Sequence, residues 1–297
     1  MWLSLAFVSA LFLGLYDVAK KRAVADNAVA VVLLLNTALS TLLFSPVIIA
    51  SLTGAGWFSG TMFDYGAQSL DAHLKVMLKA CITLSSWGFG YVGIKHLPIT
   101  IVGPINATRP VIVLLGALLI FGERLNALQW VGVSLAFVSI LLLSRAGRQE
   151  GINFVRNRYI LYVAAAALLG ATSGLYDRYL LREIDTMFVQ SWFSLYQAVM
   201  MAVVVTAMWL RGALPRFEWR WAIPLITIFL TIADMAYFVA LAEGDSMVAV
   251  VSMVRRSSVV VSFACGAVLF GEKNLRTKAI DLAFILVGMV FLWLGTR

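Results

Sequence analysis

The chain has 297 residues, of which 62% are hydrophobic and only 13% are charged, and its mean hydropathy is +0.92. A soluble domain carries about a quarter charged residues, so this composition excludes an ordinary water-soluble globular protein. The net charge of +8 comes mostly from Lys and Arg in short connecting segments. There these residues set membrane orientation, and we expect no nucleic-acid partner.

Ten continuously apolar runs, each about 20 residues long, predict ten transmembrane helices. In chain order the runs cover residues 2–21, 27–51, 76–95, 98–121, 126–144, 159–181, 187–210, 221–243, 246–271 and 277–295. The first run has no basic region before it and no small-residue cleavage site, which predicts a retained helix rather than a signal peptide. The one long connection, at 53–74, is rich in Gly, Ser and Asp and is typical of an interfacial loop.

Short motifs recur in the two halves of the chain. GLYD occurs at 14–17 and again at 174–177, while IFGERL (120–125) follows the fourth run and LFGEKNL (269–275) follows the ninth. These recurrences predict a duplicated unit of five helices, at 1–148 and 156–297. An odd number of helices per unit makes the second copy enter the membrane from the opposite side. The predicted fold class is therefore an all-α integral membrane protein with ten transmembrane helices in two inverted five-helix repeats.

The segment 110–143, PVIVLLGALLIFGERLNALQWVGVSLAFVSILLL, resembles the second half of an EamA repeat of the drug/metabolite transporter (DMT) superfamily. The family pattern is a Pro-led apolar helix, a Gly-Glu turn and a helix with an early Trp-x-Gly. The segment 251–292 resembles the same pattern, although Asp281 stands where the first copy has Gly132, which weakens the expectation that the fifth and tenth spans pack identically. The resemblance implies a basket of ten helices around a central cavity lined by spans one, three, four, six, eight and nine.

Four charged residues lie deep inside predicted spans, namely Arg109, Asp234, Arg255 and Arg256. A charge that faces lipid at this depth costs several kcal/mol, so such residues normally face a cavity or a partner. One hypothesis is a structural ion pair between the aspartate and one arginine. Three arginines against one aspartate still leave positive charge over, and an anionic substrate group would neutralise it. The guanidinium fork suits carboxylate and phosphate because it can donate two hydrogen bonds in one plane.

The repeat predicts which of these arginines faces the cavity. Aligning the two Gly-Glu turns maps Asn106 onto Arg255, and it maps Arg109 onto Ser258. Residues three apart share a helix face, so all four side chains would point into the cavity if the two helices play equivalent roles. Arg256 lies about 100° further round the helix, and we expect it to pair with a neighbouring helix or with the aspartate. The basic pair in span nine also resembles that of the plastid sugar-phosphate translocators, a branch of the same superfamily.

Aromatic and acidic residues near the expected cavity complete the candidate site. They are the wall residues Trp87, Tyr91 and Tyr237, the mouth residues Tyr16 and Tyr176, and the neighbouring acids Asp17 and Asp177. Asp17 has Lys20 and Lys21 at helical spacing, which favours a self-paired helix end. The recurrence of Tyr-Asp in both halves favours a role at the cavity instead.

The sequence thus predicts a secondary active transporter, an exporter or exchanger, for a small polar metabolite with an anionic group, such as an amino acid or an organic or phosphorylated acid. Arg109 and Arg255 would bind that group, and Asp234 would bind an amino group, carry a coupling proton, or both. The alternative is a membrane-embedded scaffold or lipid-handling protein whose buried charges are structural. The sequence holds no nucleophile–base pair, metal set or nucleotide-binding loop, so we expect no enzyme activity, no metal and no cofactor, with proton or counter-solute coupling left open. The chain would act as a monomer or a homodimer.

Basic residues predict the orientation in what we expect to be a bacterial inner membrane. Fourteen lie on one side: Lys20, Lys21, Arg22, Lys95, Arg145, Arg148, Arg156, Arg158, Arg211, Arg216, Arg220, Lys273, Arg276 and Lys278. Six lie on the other: Lys75, Lys79, Arg124, Arg178, Arg182 and Arg297. The cytoplasmic side normally carries the excess, which places both termini outside. The family resemblance implies the opposite, with both termini inside.

Overall fold

The computed structural model describes residues 2–61, 63–66, 68–112, 115, 125–149, 151–154, 156–180, 183–242, 251, 254–272 and 274–295. Within these residues no strand is formed, and the all-α prediction is confirmed. Ten α-helices follow one another in this part of the chain: α1 Trp2–Val24, α2 Val29–Thr53, α3 Leu70–His96, α4 Ile99–Ala107, α5 Ala127–Gln149, α6 Arg158–Leu180, α7 Thr186–Leu210, α8 Ala222–Ala242, α9 Ser258–Leu269 and α10 Leu275–Leu294.

Six of these helices, α1, α2, α5, α6, α7 and α10, are long and apolar enough to cross a membrane. Each of the ten lies on one of the ten predicted runs, although α3 begins six residues earlier than the apolar run at 76. Predicted spans four and nine each contain a short helix, α4 and α9. The segments 116–124 and 243–250, which belong to predicted spans four, eight and nine and to the first Gly-Glu turn, lie outside the described residues.

Local hydrogen bonds explain where several helices begin and end. The Ser69 hydroxyl accepts a backbone N–H in the first turn of α3 at 3.2 Å, and the Asp185 carboxylate accepts two at the start of α7, at 2.7 and 3.2 Å. Helix α2 ends at Gly54, whose φ of +64° is the left-handed conformation that glycine adopts without strain. The loop that follows is tied to α7 by a hydrogen bond of 2.9 Å between the hydroxyls of Tyr65 and Ser191.

The helices pack as pairs that join the two halves of the chain. The most extensive contacts join α1 with α8, α3 with α6, α5 with α10 and α2 with α7, and α9 packs against both α1 and α4. In every pair one helix precedes residue 150 and the other follows it. Helix α1 thus contacts α3, α4, α8 and α9, and α6 contacts α3 and α4, so residues from both halves meet at the centre of these helices.

The α5–α10 pair depends on small residues where the two helices cross. Gly132 approaches Gly288 and Leu292 so closely that an added Cβ would lie 2.7 Å from the leucine side chain and 2.8 Å from the glycine carbonyl. Elsewhere along the same pair, the Ser139 hydroxyl donates to the fully buried carboxylate of Asp281. In the register that aligns the two Gly-Glu turns, Gly132 corresponds to Asp281 and Ser139 to Gly288. The hydrogen bond between Ser139 and Asp281 thus stands at the position that corresponds to the close contact between Gly288 and Gly132.

The second Gly-Glu turn forms an N-terminal cap for a helix of the other half. Gly271 adopts a φ of +59°, and the Glu272 carboxylate accepts the backbone N–H groups of Ile99 at 2.6 Å and Thr100 at 3.0 Å. The Thr100 hydroxyl donates to the same carboxylate and accepts from the Lys278 ammonium at 2.9 Å. A negative charge at a helix N-terminus is favourable because it meets both unpaired N–H groups and the positive end of the helix dipole.

The same end of the bundle is closely packed. The Lys21 ammonium donates to the backbone carbonyls of Ile94, at 2.7 Å, and Leu97, which joins the end of α1 to the end of α3. Ile94, Leu97 and Ile99 are each about 1% exposed and belong to a large apolar cluster there. This packed end also holds the α4 cap formed by Glu272.

We expect Glu272→Gln to lower the free energy of unfolding by about 1–2 kcal/mol, because a neutral amide offers one acceptor oxygen where the carboxylate offers two. Thermal melting of the purified protein in detergent measures the change. The matched control is Glu183→Gln, which removes an exposed carboxylate paired with Lys75 and should leave the melting temperature nearly unchanged. Equal melting temperatures for the two variants would contradict the capping role.

Candidate functional site

Helical geometry is interrupted at matching points in the fourth and ninth predicted spans. At Thr108 the backbone N–H and the hydroxyl both donate to the carbonyl of Ile105, at 3.2 and 2.7 Å. At Ser257 the same two groups donate to the carbonyl of Val254, at 3.0 and 2.6 Å. A hydroxyl that bonds to a nearby carbonyl competes with regular helix geometry. In the register of the Gly-Glu turns the two breaks coincide, and the three intramembrane arginines lie beside them.

Arg255, which precedes the second break, is paired with the deep aspartate of α8. Its guanidinium donates to the Asp234 carboxylate, and the Cζ atom lies 4.4 Å from the centroid of the Tyr237 ring. Of the two alternatives expected for Arg256, a neighbouring helix or Asp234, the second is thus not formed, because Asp234 pairs with Arg255. The prediction that Arg255 and Ser258 share a face requires an unbroken helix between them. The turn at Ser257 interrupts that helix, so Arg255 need not point in the same direction as the residues of α9.

Arg109, which follows the first break, contacts helices of both halves. Its Nη2 atom donates to the Asn106 amide oxygen at 3.2 Å, which confirms that these two residues share a face. The guanidinium lies against Gly170 of α6, and Asp17 and Tyr16 of α1 are within electrostatic range. The Nε atom is buried and has no hydrogen-bond partner among the described residues.

A lysine that the sequence analysis treated as part of a helix end completes this cluster. The Lys20 ammonium forms an ion pair of 2.6 Å with Asp17 and lies 4.5 Å from the Tyr16 ring centroid and 5.6 Å from that of Tyr91. This ion pair is the contact that the helical spacing predicts for Asp17. Lys20 also lies within electrostatic range of Arg109, so the pair belongs to the surroundings of that guanidinium.

Arg256 is an accessible cation, and the described part of the chain gives it no ion-pair partner. The charges of Arg109 and Arg255 and the Tyr237 side chain are near enough to act on it electrostatically. Counting the described residues of this region, Asp234 balances Arg255 and Asp17 balances Lys20. Arg109 and Arg256 then remain as two positive charges without acids of their own.

The other predicted site residues lie elsewhere. Tyr176 donates to the backbone carbonyl of Lys75 at 3.3 Å, and Asp177 forms an ion pair of 2.9 Å with Lys79, so the two Tyr-Asp motifs do not meet. Trp87 packs edge to face against Phe193 with ring centroids 6.3 Å apart. Ser258 is buried, and its backbone carbonyl lies against Gly14 of α1. The structure thus brings Tyr16, Asn106 and Tyr237 to the arginines, places Tyr91 beside Lys20 and Trp87 in the same apolar cluster as Tyr16 and Tyr91, and leaves Tyr176 and Asp177 elsewhere.

A narrow cavity lies beside the Asp234–Arg255 pair. Its lining comes from α2, α7 and α8 and comprises Phe44, Met187, Gln190, Thr231, Asp234 and Met235. The cavity measures about 10 Å³, which is room for about one water molecule, and Gln190, Thr231 and Asp234 supply polar groups for it. No set of metal-ligating side chains occurs in the described ranges.

Proteins of known structure share the fold of this chain. Eighteen chains of known structure match the fold. One protein of known crystal structure is 20% identical in sequence and superposes with a TM-score of 0.61, covering 100% of this chain and 98% of its own, which shows the fold alone. No curated protein matches the sequence. Residues 1–145 match the model of the EamA-like transporter family, part of the DMT superfamily, and the resemblance to this family is thereby confirmed.

Proposed function

We propose that the chain transports a small polar solute by binding its anionic group between Arg109 and Arg256. The observation that carries the proposal is the pair of guanidinium groups near the matching helix breaks, for which the described residues supply no separate acids. The family match gives the coarser statement, a membrane transporter of the DMT type. Amino acids and organic or phosphorylated acids carry a suitable group.

These two arginines differ from the other intramembrane cations in lacking an acid partner among the described residues. Lys79 with Asp177, and Arg255 with Asp234, are neutral as pairs and need no ligand. The buried Nε of Arg109 has lost hydration that no described residue replaces, whereas the exposed side chain of Arg256 keeps its N–H groups accessible to a ligand. Carboxylate or phosphate between Arg109 and Arg256 would supply the missing charge and the missing hydrogen-bond acceptors.

We also propose alternating access between two inverted repeats, 1–148 and 156–297. If α1–α5 correspond in order to α6–α10, the α1–α8 contact corresponds to the α6–α3 contact, and the α1–α9 contact corresponds to the α6–α4 contact. The α2–α7, α4–α9 and α5–α10 contacts each correspond to themselves. An inverted repeat requires this pattern of contacts. The coincident breaks at Thr108 and Ser257 support the same relationship. Transporters commonly place their solute at such interruptions, where backbone groups and cavity-facing charges are available away from lipid.

The packed end is proposed to face the cytoplasm. Its connecting segments carry most of the Lys and Arg residues of the chain. With that sidedness the contacts of Lys21 and Glu272 close the cytoplasmic end in the described arrangement, and both termini lie outside.

Arg109→Ala and Arg256→Ala should each weaken binding of the anionic solute about tenfold or more, because each removes charge-assisted hydrogen bonds. Arg255→Ala should instead lower the free energy of unfolding by about 2 kcal/mol, because it leaves the Asp234 carboxylate without its partner. Uptake by proteoliposomes, first screened with pooled metabolites, and thermal melting measure the two effects.

Arg216→Ala, in an exposed loop, is the control and should change neither quantity. Loss of uptake in Arg255→Ala with a silent Arg256→Ala would restore the sequence prediction that Arg255 binds the solute. If all three variants only lower the melting temperature, the charges are structural and the scaffold alternative is favoured.

We propose that Asp234 carries a coupling proton in exchange with Arg255, reached through the narrow cavity that it lines. Asp234→Asn keeps an acceptor oxygen for Arg255 but cannot release a proton, so transport by this variant should no longer respond to an imposed pH gradient. Asp177→Asn is the matched control, since its partner Lys79 lies outside the arginine cluster, and it should keep the response. Wild-type transport that ignores a pH gradient would refute proton coupling and leave exchange or facilitated diffusion.

A further inference from the structure

Helix α6 approaches the Arg109 guanidinium more closely than any side chain would allow. A Cβ atom added at Gly170 would lie 2.7 Å from Cζ, 2.9 Å from Nη1 and 3.0 Å from Nε of Arg109. Carbon atoms do not approach other heavy atoms this closely without a clash, so the absence of a side chain at residue 170 is what permits the contact.

The three distances also define the direction of approach. Cζ, the centre of the planar group, is nearer to the added carbon than either nitrogen is. An atom in the guanidinium plane at its Nε–Nη1 edge would be nearer to the nitrogens, so the added carbon lies over the flat face. Gly170 therefore covers a face that forms no hydrogen bonds and leaves the N–H groups, which point outward in the plane, to other partners.

One partner is already present at the edge of the group. Asn106 accepts from Nη2, while the buried Nε has no partner among the described residues. Asn106 at the edge and Gly170 at the face together restrict the tilt and the rotation of the guanidinium. Neither contact consumes the N–H group of Nε.

We propose that Gly170 is a positioning residue that sets the guanidinium of Arg109 in the orientation that receives the anionic group of the solute. The proposal rests on the proposed function of Arg109 and adds the element from the second half of the chain that orients it. A methyl group at residue 170 would rotate the guanidinium away from α6, because the far end of an arginine side chain moves more easily than two packed helices do.

The same helix supplies a matched control. Gly174 lies one turn further along α6, and a Cβ added there would have no atom within 4 Å. Alanine favours helix over glycine at both positions, so neither Gly170→Ala nor Gly174→Ala weakens α6 itself. The two variants make the same chemical change and differ in what surrounds the new methyl group.

The first test measures the position of the side chain directly, without any ligand. In protein labelled with ¹⁵N-arginine, the Arg109 Nε–Hε resonance is assigned by its loss in Arg109→Lys. Gly170→Ala should shift this resonance and increase its hydrogen exchange with water, whereas Gly174→Ala should leave both unchanged. An unmoved resonance in Gly170→Ala would overturn the proposal whatever the binding data show.

The second test uses L-glutamate and inorganic phosphate as anion probes, with binding measured by calorimetry on wild type, Gly170→Ala, Gly174→Ala, Arg109→Ala and the double variant Arg109→Ala/Gly170→Ala. We expect Gly170→Ala to weaken binding of whichever probe the wild type binds by about tenfold or more, and Gly174→Ala to bind as wild type does. The double variant should bind no more weakly than Arg109→Ala, since a residue that acts only through Arg109 has nothing further to lose.

The outcomes separate the two proposals. If Arg109→Ala binds the probe as tightly as the wild type, or the wild type binds neither probe, the proposed anion site fails and the positioning role fails with it. If Arg109→Ala loses binding while Gly170→Ala keeps it, the anion site stands and the role of Gly170 is refuted. Additive losses in the double variant would show that Gly170 acts on the fold rather than on Arg109.

Discussion

Charge compensation inside an apolar bundle is the constraint on which the centre of this protein depends. Each cation buried among the helices needs an acid or a ligand, because neither lipid nor packed hydrocarbon replaces its hydration. Lys20 meets the requirement within α1, Lys79 across the α3–α6 pair, and Arg255 with an acid of α8. Arg109 and the more exposed Arg256 have no acid of their own among the described residues, and the proposed anion site rests on this imbalance.

The position of the imbalance follows from how the two halves combine. Each close helix pair takes one member from either half. The break at Thr108 follows the end of α4, the break at Ser257 precedes the start of α9, and these two helices contact each other. The second Gly-Glu turn reaches across the same boundary, since Glu272 caps the first turn of α4. A movement that changes how the halves pack must therefore alter both the cap and the surroundings of the arginines. This link between an end of the bundle and its centre is what alternating access needs.

Much of this arrangement was predictable from the sequence because it depends on composition and on recurrence. Ten apolar runs predicted the ten helices, and the shared face of Asn106 and Arg109 followed from a spacing of three. The pairing of Asp234 with Arg255 was not predictable, because the backbone turns at Ser257 and nothing in the local pattern marks that turn. Gly170 gave no signal either, since its importance lies entirely in what packs against it.

The most direct measurement of the central claim is an experimental structure with the transported solute bound, once uptake screening has identified that solute. The account predicts that its anionic group lies within hydrogen-bond distance, about 3 Å, of the guanidinium groups of both Arg109 and Arg256. It also predicts that the Arg255–Asp234 pair holds no part of that group. An anionic group bound at Arg255, or a ligand-free structure in which acids of this chain pair with both Arg109 and Arg256, would contradict it.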